Sequence, residues 1–339
     1  MKGAGIPPAT SAAIYAQRTR ALKLFTVLGA ASAASLLAGL AFGSLPLGIV
    51  QVLDSILFPS PGVAHDVIWN LRAPRAFAAF ACGGLLALAG TLLQVLLRNA
   101  LADPYVLGVS GGASLGALLA LSLGAGVAAM NISAFAGAVG AIVVVFGLTY
   151  RAGDWDVYRL LLTGVVLSAG LSALISLILV LAPEAQLKGM LFWLMGDLSQ
   201  TGSALWAWVV LIALTAMTVA ASLQLDLVSL GELKARSLGV AVIPLQLGVF
   251  AAAALATVTA VLLGGAIGFI GLMAPHAIRL AGVANHRALL PLAVLLGGSL
   301  LTVADTVART AWAPQQLPVG IFTALLGVPA MLLLLGRQR

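Results

Sequence analysis

The chain has 339 residues, of which 62% are hydrophobic and only 8% charged, and it carries a formal net charge of +7. Soluble domains carry roughly a quarter charged residues, so water is not its main solvent, and apolar runs recurring from residue 24 to residue 335 leave no room for a soluble domain. The single cysteine, Cys82, lies inside an apolar run, which excludes a disulfide framework and a cysteine-based metal site and leaves a small buried side chain.

Residues 1–23 hold cations and two prolines, with no small-residue cleavage site before a short apolar core. They are expected to form a cytoplasmic N-terminal tail rather than a signal peptide, followed by one transmembrane domain over residues 24–339. The apolar runs predict an all-α integral membrane protein of about ten transmembrane helices. They lie near residues 24–45, 76–97, 106–125, 131–149, 160–182, 204–223, 243–263, 266–282, 288–308 and 318–335. An even number of spans puts both termini on one side, and the positive-inside rule chooses the cytoplasm. Lys2, Arg18, Arg20, Lys23, Arg98, Arg151, Arg159, Lys234, Arg236, Arg279, Arg287, Arg337 and Arg339 then fall inside, leaving Arg72, Arg75, Lys188 and Arg309 outside. The basic balance is therefore a topology signal and does not indicate nucleic acid.

Two connecting segments look structured. Residues 182–200 contain Met190-Leu191-Phe192-Trp193-Leu194-Met195, which suits a short interfacial helix anchored by its tryptophan on the outer side. On the inner side, residues 230–239 read as a short helix with an acidic first turn, a basic later turn and a glycine stop. The glycine pairs Gly83-Gly84, Gly111-Gly112, Gly264-Gly265 and Gly297-Gly298 read as close helix packing.

No lysine follows a glycine, so the phosphate-cradling Gly-Lys-Ser/Thr turn of a nucleotide-hydrolysing domain is missing, and any ATP coupling must come from a partner. His65, His276 and His286 are scattered, with no spacing that would hold a metal. The ten acidic residues fall in loops or near span ends, which argues against an ion-coupled carrier with ionisable groups at mid-membrane. No cluster of nucleophile, base and metal ligands points to an enzyme.

Leu71-Arg72-Ala73-Pro74-Arg75 sets two arginines just before the second predicted span, on the side where cations are disfavoured. Two readings stand: anchors to lipid head groups, or a docking patch for carboxylates of an external protein, with Arg309 completing it.

Together with 71–75, the segments 94–113, 191–196, 230–239, 264–280, His286-Arg287, 304–309 and Leu317-Pro318-Val319-Gly320 occur in an order that resembles one family. The chain is similar to the FecCD-type permeases of ABC importers for iron-siderophores, haem and vitamin B12, over nearly its whole length after the tail. Ala73, Ala100 and Gln316 depart from the usual pattern, and Gln316 matters most because it stands where an acid is common.

The resemblance implies a BtuC-like (type II) ABC importer permease of the bacterial inner membrane, itself non-catalytic. Its partners would be a second copy of the chain, two cytoplasmic ATPases holding ATP and Mg, an extracytoplasmic binding protein and membrane lipid. No cofactor or metal is expected on this chain. Arg72, Arg75 and Arg309 would receive the binding protein. Gly231, Glu232, Ala235, Arg236, Ser237, Leu238 and Gly239 would form the coupling helix seated on the ATPase. His276, Arg279, His286 and Arg287 would form a second ATPase-facing loop, with a structural cap the alternative for His276. The cargo implied is a ferric chelate, haem ahead of siderophores, with vitamin B12 the runner-up.

Overall fold

A computed structural model describes residues 8–45, 47–58, 62–151, 154–199 and 201–336. Fourteen helices account for nearly all of this, numbered here in chain order. They are α1 (Pro8–Ala41), α2 (Ile49–Leu57), α3 (Val63–Leu96), α4 (Val109–Ser122), α5 (Val127–Thr149), α6 (Val157–Leu181), α7 (Glu184–Leu194), α8 (Leu205–Ala220), α9 (Ser222–Ser229), α10 (Glu232–Ser237), α11 (Val242–Gly264), α12 (Ile270–Leu280), α13 (His286–Thr310) and α14 (Val319–Gly336). A two-residue β-ladder pairs Tyr150 with Trp155 and Arg151 with Asp154 in the turn between α5 and α6.

Each of the ten predicted runs holds a helix, but the helices are not ten equal spans. Six are long and apolar enough to cross a membrane, and the pair α8–α9, bent by 62°, makes a seventh if counted as one span. Helix α4, with 14 residues, reaches only about 21 Å at about 1.5 Å per residue, short of the roughly 30 Å hydrocarbon core. Helix α12, with 11 residues, is shorter still.

Two boundaries differ from the sequence reading. Helix α1 runs unbroken through Lys23, because residues 17–23 are mostly good helix formers with no glycine or proline to stop them, so the expected tail is largely continuous with the first helix; residues 1–7 lie outside the described residues. Helix α3 starts at Val63, well before the predicted second span, and widens to a π-helix over Val67–Arg72. Pro74 supplies the reason: it has no N–H to give and its ring crowds the carbonyl four residues back, a conflict that a wider turn relieves. Ala73 accordingly donates to Ile68 O, five residues back.

Helix α3 is the axis of the bundle. The glycines that looked like packing contacts are such contacts: a Cβ on Gly83 would sit 2.3 Å from Gly297 O, and one on Gly90 would sit 1.9 Å from Gly271 O, so α13 and α12 touch α3 backbone to backbone. Helices α4 and α5 meet in the same way at Gly112 and Gly137. The pair Gly264-Gly265 works differently: Gly265, at φ +71, ends α11 and lies against Trp193 O.

Candidate docking and coupling sites

At the end of α3 assigned to the outside, the three expected arginines do converge, but inward. Arg72 is 4% exposed and spends its guanidinium on carbonyls at and beyond the C-terminus of α1: its Nη1 donates to Leu40 O (2.9 Å) and Ala41 O (2.6 Å), and its Nη2 to Leu45 O. Those carbonyls lack helical partners, and a cation there also meets the negative end of the helix dipole. Arg75 binds the buried Asp305 through Nε (3.0 Å) and Nη2 (2.8 Å), while its Nη1 donates to Gln316 Oε1 at 2.6 Å. Arg309 donates to Gly39 O and holds its Nε 3.7 Å from Asp305 Oδ2.

This corrects the picture of an open docking patch. Arg72, Arg75 and Arg309 are all buried and bonded within the chain, because unsatisfied carbonyls and one carboxylate lie within their reach. Lipid anchoring fails for the same reason. Gln316 acts as a neutral acceptor for Arg75, so among the described residues Asp305 is the one carboxylate in this cluster, bonded to Arg75 and near Arg309, while Arg72 is held by carbonyls alone. Asp305 lies near a span end as expected, but at 1% exposure it is a buried member of an ion pair.

At the other end of α3 lies α10, the expected coupling helix. Gly231 (φ +116) and Gly239 (φ +84) bracket it. Ala235 is fully buried against Val228 and Val242, while Leu233 and Leu238 are 84% and 62% exposed, with Lys234, Arg236 and Ser237 beside them. Glu232 does not face outward with them: it accepts from Arg98 and, at 3.1 Å, from Gln246 Nε2, with Arg236 Nη2 at 3.9 Å.

The second predicted inner loop divides. Arg287 is exposed, and Arg279 donates to Gln94 Oε1 on α3. His276 and His286 are 3% and 4% exposed, which removes both from any surface contact. His276 lies inside α12 and not at either of its ends. His286 opens α13, where its backbone N–H (3.0 Å) and its Nδ1 (2.5 Å) both meet Asp226 Oδ1, tying α13 to α9. In the neighbouring loop, burial pushes the Asp103 carboxyl up, opposed by the hydrogen bond it accepts from the Tyr105 amide.

Sequence reasoning missed Arg98, Gln94, Gln246 and Asp226 as tethers. The two glutamines, polar residues within apolar runs, were the available signal. A half-open cavity of about 650 Å³ lies between the α4–α5 turn, α7 and the segment after it, lined in part by Lys188, Phe192, Trp193 and Trp206, with Lys188 Nζ 5.8 Å from the Phe192 ring centre. Among the described residues no group of three or more metal-ligating side chains comes together.

Comparison with known proteins decides the family, since the model of the FecCD transport family matches residues 31–337. The chain belongs to the FecCD transport family. Its FecCD relatives include the ABC transporter permease protein YvrB of Bacillus subtilis, 37% identical over 326 residues, covering 90% of this chain and 91% of YvrB. The vitamin B12 import permease BtuC of Klebsiella pneumoniae is 37% identical over 279 residues, covering 80% of this chain and 83% of that one. BtuC of Escherichia coli O157:H7 is 38% identical over 272 residues, covering 79% and 83%. A solved structure described as an inward-facing metal-chelate type ABC transporter superposes with a TM-score of 0.82 at 30% identity, covering 93% of this chain and 99% of that one. As a FecCD permease the chain is a multi-pass membrane component of an ABC importer and not itself the catalytic subunit. Permeases of this class work with an ATPase and a binding protein.

Proposed function

We propose that this permease imports a metal-organic chelate, a cobalt corrinoid of the vitamin B12 type first and a ferric chelate second, using ATP and Mg held by a partner. The observation that carries the coupling half of this reading is the outward face of α10, where exposed Leu233 on the six-residue helix and exposed Leu238 at its C-cap flank Arg236. Exposed leucines beside a cation suit an apolar groove with an acidic rim on a cytoplasmic ATPase. The cargo order rests on the relatives named for vitamin B12 import; the metal-chelate transporter that superposes well keeps the ferric reading alive.

In this reading the working unit is two copies of the chain with two ATPases and one binding protein, in the inner membrane, with both termini cytoplasmic. Helix α6, buried over only 6% of its apolar window, offers its flanks to lipid or to the second copy. Three outer guanidiniums against one carboxylate leave excess positive charge, which attracts an acidic binding-protein surface even though each guanidinium is bonded within the chain.

The test is ATP hydrolysis by the complete complex in liposomes, with cyanocobalamin, haemin and a ferric siderophore supplied in turn on the binding protein. Stimulation by cyanocobalamin alone is expected. Stimulation by an iron chelate alone would move the cargo to iron, and no response to any of the three would end the chelate reading.

A further inference from the structure

The end of α3 nearest α10 closes with an anomaly. Leu97 caps the helix, Arg98 takes φ +46, and Asn99 N donates back to Gln94 O at 3.2 Å. This is the helix stop in which one residue turns left-handed, a place glycine fills because it has no Cβ to clash. Elsewhere among the described residues the chain obeys that preference: left-handed positions are held by Gly108, Gly124, Gly196, Gly231, Gly239, Gly265 and Gly282, and Phe269 is the one other departure. A side chain kept where the backbone asks for none needs a use.

Its use is visible. From that position the Arg98 guanidinium reaches Glu232 at the start of α10, and Gln246 of α11 donates to the same Glu232 oxygen. Helix α10 has only six residues and open glycines at both ends, so it cannot hold its own position. Besides chain continuity, its described attachments to the bundle are the apolar seat of Ala235 and this polar knot on Glu232. Arg98 is thus the side-chain link from α10 to α3, whose far end carries the Arg75–Asp305 pair.

We propose that Arg98 is a positioning residue for transport: through Glu232 it couples displacement of α10 to α3, and so carries motion from the ATPase side to the outer arginine cluster. This rests on the ATPase-coupling reading of α10. The pair is partly exposed, with side chains 42% and 34% accessible, so its worth lies in geometry more than in stability.

Arg98→Gly separates those two contributions, because glycine suits the left-handed backbone but removes the link. In the complete complex in liposomes, on a Cys82→Ser background, Asn70→Cys at the exposed far end of α3 is labelled with a water-soluble maleimide, with and without ATP and Mg. With Arg98 present, ATP should change the labelling rate severalfold. Arg98→Gly should melt at or above the parent temperature and bind the ATPase, yet lose that response, while Arg98→Lys, which keeps the cation, should retain it. A full ATP response in Arg98→Gly overturns the proposal and leaves the coupling role of α10 intact. Failure of the parent permease to bind an ATPase at all removes the coupling reading and this inference with it.

Discussion

Helices α3 and α6 are alike in apolarity and opposite in place. Their mean hydropathies are 2.0 and 2.5, yet 94% of the apolar window of α3 is buried within the chain against 6% of that of α6. In water such a pair could not coexist, since an apolar helix left bare would collapse onto another surface. In a bilayer, lipid is as apolar as leucine, so apolarity does not choose between a protein neighbour and a lipid one. What separates the two helices is the extent of close fit and polar pairing: α3 carries several glycines that fit against backbone and arginines that must find acceptors, whereas in α6 Gly164 meets Val106 O but nothing comes within 4 Å of a Cβ built on Gly170.

Valine scanning should give the largest contrast. Gly90→Val drives a side chain into Gly271 O on α12, and loss of folded, monodisperse protein is expected; Gly170→Val in α6 should purify and melt like the parent. A comparable loss at both sites would mean that α6 packs as tightly as α3 in the assembled protein.

Charge removal should come next. Arg75→Ala leaves Asp305 buried without its main partner, at a cost of about 3–5 kcal/mol, and the double change Arg75→Met with Asp305→Leu should recover most of it. Denaturation in detergent measures both, and a mild single-variant effect would show that water reaches the cluster.

The smallest effects belong to the entry of α6. Asp156 accepts from Tyr158 N at 2.8 Å as the N-cap, so Asp156→Ala should cost about 1 kcal/mol. Arg159→Ala breaks only a 3.8 Å pair between half-exposed side chains and should cost about 0.5 kcal/mol or less in the same assay. A larger loss at Arg159 would point to a contact with the second copy.

Much of the site was legible along the chain, though not its orientation. The inner helix over 230–239, its glycine brackets and the meeting of Arg72, Arg75 and Arg309 all follow from residue types and order. The direction in which these groups face does not. Glu232 stood among residues read as ATPase contacts and turned inward to Arg98, and His276 and His286 looked like loop residues and proved buried. Side-chain direction depends on which neighbour offers an acceptor, and those neighbours lie far away in sequence: Asp305 is 230 positions from Arg75 and Glu232 is 134 from Arg98.

The sequence by itself determined that the chain lives in a membrane, that it is helical, that it lacks the phosphate-cradling turn of a nucleotide-hydrolysing domain, and which family motifs it carries, because composition and local periodicity are properties of neighbouring residues. Only the tertiary structure decided which helix is the axis, which spans are cut short, and which charges are spent inside. Those outcomes depend on backbone fit at glycines and on long-range pairing of buried polar groups, where a difference of one ångström or one acceptor selects the arrangement.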